Sequence, residues 1–220
     1  MSSPAQRRFE TVTAAMAAAQ SDPGESLAGN TAYELMLAKL DADRRRLKDI
    51  QSIERKIEVK REILPEYENW INGVLDAGRG GQDDVLVTAM VWHLDVGSFD
   101  EALRIGHYVL QHDLVLPDQY QRNVATVLVD EVADTALAQQ KAGKSFPLQV
   151  LLEIERLTAS HDMHDEARAK LHKALGAALY DRGDLREAHR HYSRALELND
   201  KIGVKRLLTE IDAALAKASA

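Results

Sequence analysis

The sequence predicts an all-α protein, and three observations lead to this prediction. Apolar residues recur at the three- and four-residue spacing of amphipathic helices along almost the whole chain. The chain has only five prolines and 5% aromatic residues, whereas β-sandwiches and barrels need many turns and aromatic strand faces. Residues 124–129 are rich in β-branched side chains, but their flanks keep the helical period. We therefore expect helices throughout.

The N-terminal stretch, residues 1–29, is expected to form one helix and a loop. Pro4 suits the first position of a helix, because the fixed φ of proline is helical and its missing N–H is not needed there. An alanine-rich run extends this pattern to about residue 20. A cluster of Ser, Asp, Pro and Gly then ends the helix.

Residues 30–64 are expected to form one long charged helix of coiled-coil character. Thr31 with Glu34 matches a capping box, and Pro65 disfavours helix at the residue before it. Between these ends, apolar residues recur at intervals of seven, as in a coiled coil. We expect this segment to serve in oligomerisation.

Residues 65–220 are expected to form a helical domain of shorter helices separated by glycine-containing turns. Within it, residues 168–200 match a tetratricopeptide-like helical hairpin. Gly176 and Ala188 are small enough to let two helices approach, and Leu179 and Tyr192 would fill the space between them.

Composition narrows the classes of function. The chain lacks cysteine, which excludes disulfides, thiolate nucleophiles and cysteine-ligated metal sites. No apolar run approaches the roughly 18 residues that a membrane helix requires, and no signal peptide is visible. We therefore expect a cytosolic protein without a membrane partner, and the sequence suggests no cofactor.

Positive charge is concentrated in one segment of an otherwise acidic chain. The net charge is −7, yet residues 44–61 contain eight basic and three acidic side chains, which gives this segment +5. Such segregation is typical of a surface that faces a polyanion, but a solvated helix flank paired with nearby carboxylates explains the pattern equally well. The basic residues are Arg44, Arg45, Arg46, Lys48, Arg55, Lys56, Lys60 and Arg61.

The sequence gives weaker evidence for catalytic groups than for a basic surface. His161, Asp162, His164 and Asp165 could ligate a metal, but helix capping with exposed histidines accounts for the same pattern better. No spacing of serine, histidine and acid indicates a hydrolase triad. Catalytic residues therefore stay unknown, and no metal site is predicted.

Three stretches together resemble a known family, the small terminase subunits of temperate, contractile-tailed phages that package DNA between cohesive-end sites. The resemblance covers nearly the whole chain. The stretches are Ser3-Pro4-Ala5-Gln6-Arg7, the central run from Leu64-Pro65 through Trp70-x-Asn72-Gly73 and Gln82-Asp83-Asp84 to Asp95-x-Gly97, and Arg168-Ala169-Lys170-Leu171-His172-Lys173.

This resemblance implies a DNA-packaging protein. Small terminases recognise the packaging site on concatemeric phage DNA, assemble into rings, and recruit and regulate the large ATPase subunit in the host cytoplasm. On this basis we expect the basic residues of segment 44–61 to contact phosphate, with Arg7 and Arg8 as an additional arm. The chain ends without a long basic tail, which would leave DNA binding more dependent on segment 44–61.

Two alternatives stay open at this point. In this phage lineage the small subunit is described as the endonuclease subunit of terminase, so a metal-dependent nuclease could use Asp83, Asp84 or the cluster at His161. Alternatively, the chain is a protein–protein adaptor that binds the large subunit through the tetratricopeptide-like hairpin and does not touch DNA.

Overall fold

A computed structural model describes residues 3–19, 23, 26–117 and 122–218 of the chain. These residues form helices and connecting turns, with no strand among them beyond one isolated bridge between Ser26 and Gln82. None of the described helices combines the length and the apolar character needed to cross a membrane. The all-α prediction is confirmed. The helices are α1 (Pro4–Ala19), α2 (Thr31–Lys48), α3 (Ile53–Ile63), α4 (Glu68–Ala77), α5 (Asp84–Asp95), α6 (Phe99–Gln111), α7 (Val124–Lys141), α8 (Leu148–Thr158), α9 (Asp165–Asp181), α10 (Leu185–Leu198) and α11 (Lys205–Ala218).

The chain divides into two compact units, Met1–Val124 and Ala125–Ala220. The sequence pattern predicts boundaries after residues 29 and 64 instead. These positions do not separate compact units, because α1, α2 and α3 all contact α4 or α5 within the first unit. Amphipathic helices of this length bury their apolar faces on one another, and sequence pattern alone does not reveal which helices are partners.

Helix α5 is the core of the first unit. Every residue from Val85 to Leu94 is buried, so this helix has no solvent face for most of its length. Its sequence is accordingly apolar on all sides, which is typical of a central helix. Asp83 caps its N-terminus by accepting a 2.9 Å hydrogen bond from the backbone N–H of Leu86.

Helix α1 packs on α4 through a glycine. A Cβ built on Gly73 would lie 2.6 Å from the Cβ of Ala14, so only glycine permits this approach. Glu10 also accepts a 2.6 Å hydrogen bond from Asn69 of α4. The expectation of a free N-terminal arm carrying Arg7 and Arg8 is therefore wrong, since both residues belong to this packed helix.

The expected long helix is two helices. Helix α2 ends at Lys48 and α3 begins at Ile53, so the prediction of one continuous helix to residue 63 is wrong. Ser52 causes the restart, because its side chain accepts a 3.2 Å hydrogen bond from the N–H of Arg55 and its own backbone is extended. The positions of the predicted heptad pattern are not all buried: Leu40 and Leu47 on α2 are buried, whereas Ile53 at the start of α3 is 75% exposed.

In the second unit, α9 and α10 form the helical hairpin that the sequence predicted. Gly176 lies against the ring of Tyr192, and a Cβ at Gly176 would come within 2.7 Å of its Cδ1. Tyr192, Leu179 and Ala188 are buried in a core that α11 completes through Ile211. The small and large positions thus pack as a tetratricopeptide pair requires.

Candidate nucleic-acid interface

The eight basic residues of segment 44–61 have three different environments. Arg44 points inward from α2, and its Nη2 donates a 2.8 Å hydrogen bond to Thr88 Oγ1 on the buried helix α5. Its side chain is 26% exposed and also lies 3.7 Å from Asp41. Arg44 therefore joins α2 to the core and presents little of its charge to solvent.

Three further cations are paired with carboxylates. Arg46 binds Glu62 at 2.8 Å, which connects α2 to the end of α3. Arg55 binds Glu58 at 2.7 Å, and this hydrogen bond raises the pKa of the guanidinium. Lys60 is paired with Asp95 at the end of α5. A phosphate would have to displace a carboxylate at each of these positions.

The remaining four cations form no ion pair within the described part of the chain. Arg45 donates from Nε to the backbone carbonyl of Asp41, and Arg61 donates from Nη2 to the carbonyl of Val96, so neither charge is neutralised. Lys48 and Lys56 lie on either side of the turn at residues 49–52, which joins α2 to α3. These four residues are the part of the basic segment that is free to meet an anion.

The cations near this turn also have carboxylates close to them, and some of them stabilise a helix end. Asp49 in this turn and Glu54 in the first turn of α3 are exposed and bring negative charge to the same region. Arg45 and Lys48 also occupy the last turn of α2, where cations stabilise a helix by interacting with its C-terminal carbonyls. The break at residues 49–52 places Arg55 on another helix than Arg44 and Lys48, so the basic residues do not share one continuous helical face.

Arg7 and Arg8 are exposed on α1. Arg7 lines a groove of about 780 Å³ that runs between α1, α2 and α4. Phe9 and Leu35 line the same groove and are 70% and 69% exposed. Apolar side chains this exposed beside a groove are typical of an interaction surface.

The carboxylates that a nuclease could have used serve other roles. Asp83 is completely buried, and besides capping α5 it accepts a 2.8 Å hydrogen bond from Trp70 Nε1. Burial raises the pKa of Asp83 to about 6, against the opposing effect of the hydrogen bonds from Leu86 and Trp70. Asp84 accepts from Gln82, and its backbone N–H donates to Tyr33. Neither aspartate belongs to a cluster with metal-ligand spacing among the described residues.

The cluster at His161 likewise lacks metal-ligand spacing. The described residues bring together one set that has it, namely Glu155, His172 and His191 of α8, α9 and α10. Burial lowers the pKa of both histidines to about 4, so both imidazoles are neutral near pH 7. The sequence did not reveal this set, because its members are 17 and 19 positions apart and meet only when three helices pack.

Comparisons with known proteins show the family to which the chain belongs. A family model described as "Phage small terminase subunit" matches residues 37–166, which include α3 to α8 and most of α2. The chain belongs to this family. It therefore has a role in phage DNA packaging. A second family model, "Tetratricopeptide repeat", matches residues 164–202 and covers the hairpin of α9 and α10.

Two relatives extend the comparison beyond the matched segment. The chain is 44% identical to the "Terminase, endonuclease subunit" of Escherichia phage P2 over 212 residues, which cover 96% of this chain and 85% of that protein. It is 24% identical to the "Probable terminase, endonuclease subunit" of Haemophilus phage HP1 over 190 residues, or 80% of this chain and 68% of that protein. No solved structure matches the chain.

Proposed function

We propose that this chain is the DNA-recognition subunit of a phage terminase. It binds the packaging site on concatemeric viral DNA in the host cytoplasm, and it recruits and regulates the large ATPase subunit. Membership of the small terminase family is the observation that carries the proposal. The unpaired cations near the turn between α2 and α3, together with Arg61 at the end of α3, are charges through which the chain can contact phosphate.

The contact surface is narrower than the whole basic segment. Arg45, Lys48, Lys56 and Arg61 meet phosphate directly, because no carboxylate of the described chain neutralises them. Arg46 and Arg55 contribute less, since an approaching phosphate would also face Glu62 and Glu58. Four cations bind DNA weakly by themselves, so tight binding requires several copies acting together.

The chain assembles as a homo-oligomer, in a ring as in other small terminases. The groove between α1, α2 and α4 supports self-association, because Phe9 and Leu35 would be covered by a second copy. Native mass measurement of a Phe9→Ser/Leu35→Ser variant tests this, with Val115→Ser as control, since Val115 is 62% exposed and does not line the groove. A single oligomeric mass for all three proteins would contradict an interface at this groove.

A salt titration tests the DNA contact. Affinity for a duplex carrying the cohesive-end region is measured against salt concentration for two double variants of equal charge. Arg45→Gln/Lys48→Gln removes unpaired cations, and Arg46→Gln/Arg55→Gln removes paired ones. We expect the first variant to lower the slope of log K against log salt by about 2 per engaged subunit, at about 0.9 per phosphate contact.

The control variant should change this slope by less than half as much. Equal slopes for both variants would contradict the assignment of contact residues. Absence of salt-dependent binding by the unmodified protein would favour the adaptor function instead. In that case binding of the large subunit should persist and should be lost when the hairpin of α9 and α10 is altered.

Nuclease activity is a second candidate, because both relatives carry "endonuclease subunit" in their names. Metal-dependent nicking of the same duplex by the isolated protein would support it. Asp83→Asn and His161→Ala would then be compared with the unmodified protein. Cleavage unchanged in both variants would rule out Asp83 and His161 as catalytic residues.

A further inference from the structure

Three helices of the second unit bring two imidazoles and a carboxylate to one point. Nδ1 of His172 on α9 lies 3.0 Å from Nδ1 of His191 on α10. Oε1 of Glu155 on α8 lies 3.6 Å from the first nitrogen and 3.8 Å from the second. His172 and His191 are 8% and 1% exposed, whereas the Glu155 side chain is 27% exposed.

These three distances fit a single metal ion. A circle through three points with sides of 3.0, 3.6 and 3.8 Å has a radius of about 2.0 Å, which is the product of the sides divided by four times the area. Zinc binds histidine nitrogen at about 2.0–2.1 Å and carboxylate oxygen at about 2.0–2.2 Å. An ion near the centre of this triangle would therefore reach all three atoms without movement of the helices.

We propose that Glu155, His172 and His191 form a site for a divalent transition metal, with Zn²⁺ as the preferred ion. Imidazole suits zinc and its neighbours in the first transition row, whereas Ca²⁺ and Mg²⁺ prefer oxygen ligands only. Two histidines and one carboxylate leave a fourth position for water, which can approach from the exposed side of Glu155. The ion joins α8 to both helices of the hairpin.

In this structure, the hydrogen bond that Arg190 makes to His191 opposes metal binding at Nδ1 of His191. Its Nη2 lies 2.8 Å from Nε2 of His191, and a guanidinium can only donate, so Nε2 accepts and Nδ1 carries the proton. Metal binding at Nδ1 requires that proton to move to Nε2, where it would face the donor of Arg190. Arg190 must therefore turn away, and Glu187 can retain it, because their side chains are already bonded at 2.7 Å.

Because of this competition, zinc titration of variants distinguishes a metal site from a histidine pair with a purely structural role. Full-length protein is stripped with a chelator and titrated with Zn²⁺ against a chromophoric competitor, and Co²⁺ spectra report the coordination. We expect one ion per chain. Glu155→Gln should weaken binding by more than about tenfold, because losing a ligand matters at least as much as losing a group that only orients one. Arg190→Ala should strengthen it, since the competing donor is gone.

His189→Gln is the matched control. His189 lies on the same helix but outside the cluster, where its Nε2 is 3.0 Å from Asp212, so its removal should leave zinc affinity unchanged. His172→Gln should abolish binding, and circular dichroism checks that it folds. If it does not fold, Glu155→Gln and Arg190→Ala decide the question, because both positions reach the surface.

Absence of stoichiometric Zn²⁺ binding by the unmodified protein would overturn the proposal. So would equal affinity of the unmodified protein and Glu155→Gln, since that result would place the ion elsewhere. Zinc should also raise the unfolding temperature of the unmodified protein, because an ion that binds only the folded form stabilises it. The same zinc-induced rise in Glu155→Gln would contradict the site as well.

Discussion

Nε1 of Trp70 donates a 2.8 Å hydrogen bond to Oδ2 of Asp83, and both side chains are buried. The other carboxylate oxygen caps α5 through the N–H of Leu86. One aspartate thus serves the start of the central helix and satisfies an indole on α4 that would otherwise be a buried donor without a partner. Because this carboxyl group is buried, its protonation is linked to the stability of the first unit.

Asp83 should make the first unit less stable as pH rises from 4 to 6. Its folded-state pKa is raised from 3.8 to about 6 by burial, so the folded form binds more protons than the unfolded form across this window. The stability contributed by the protonated group is complete below the unfolded pKa and is lost as pH rises through the folded one. The loss amounts to at most about 3 kcal/mol.

The comparison with Asp83→Asn isolates this contribution, because other groups titrate in both proteins. Asparagine still caps a helix, although it can accept only one of the two hydrogen bonds. Tryptophan fluorescence during urea unfolding follows the first unit alone, since Trp70 and Trp92 are the two tryptophans of the chain. If the free energy of unfolding changes equally with pH in the unmodified protein and in Asp83→Asn between pH 4 and pH 7, Asp83 does not titrate in that range.

Asp43 should stabilise the first unit by accepting the hydrogen bond of the Tyr67 hydroxyl. The Tyr67 side chain is buried, and its hydroxyl donates a 2.6 Å hydrogen bond to Asp43, which Lys39 also binds at 2.8 Å. Asp43→Ala leaves this hydroxyl without an acceptor, so we expect a loss of about 1–3 kcal/mol in the free energy of unfolding. Urea unfolding followed by tryptophan fluorescence measures it.

A double variant shows whether the hydroxyl is the cause. In a Tyr67→Phe background the hydroxyl is absent, so Asp43→Ala should cost clearly less than it does in the unmodified protein. Equal costs in the two backgrounds would assign the effect to Lys39 instead.

Gly176→Ala should destabilise the second unit even though alanine favours helix. The new Cβ would lie 2.7 Å from the ring of Tyr192, which is buried and cannot move without disturbing its neighbours. We expect a cost of about 1–3 kcal/mol from this overpacking. Thermal unfolding followed by circular dichroism at 222 nm measures this cost. Tryptophan fluorescence would not report it, because the second unit contains no tryptophan.

Tyr192→Leu provides the reference background for this variant. With the ring gone, Gly176→Ala should become neutral or stabilising, by up to about 1 kcal/mol from helix propensity. A cost that persists in this background would mean that the ring is not the obstacle.

Ser52→Ala should weaken the start of α3 by about 1 kcal/mol, because the N–H of Arg55 loses its acceptor. Ser52→Asp should retain the cap and most of the stability. Urea unfolding followed by tryptophan fluorescence measures both. Equal losses in the two variants would indicate that the hydroxyl does not hold the break between α2 and α3.

The break also shows why the candidate interface was only partly predictable. The positions of basic residues are visible in the sequence, and so is the capping preference of Ser52, but a serine within a heptad pattern does not by itself end a helix. Packing of α3 against α5 pairs Lys60 with Asp95, a residue 35 positions away, and no local sequence pattern predicts that pair. Which cations remain free was therefore decided by tertiary contacts.

The sequence by itself determined the helical class, the start of α1 at Pro4, the tetratricopeptide-like hairpin and the kinship with small terminases. These follow from local periodicity, caps and residue spacing, which act within a few turns of helix. The separation of α2 and α3 combines the local cap at Ser52 with tertiary packing, and tertiary structure alone decided that Arg44 turns inward. It also brought Glu155, His172 and His191 together. Such features depend on which helices bury their apolar faces on one another, and that choice is made between residues far apart in the chain.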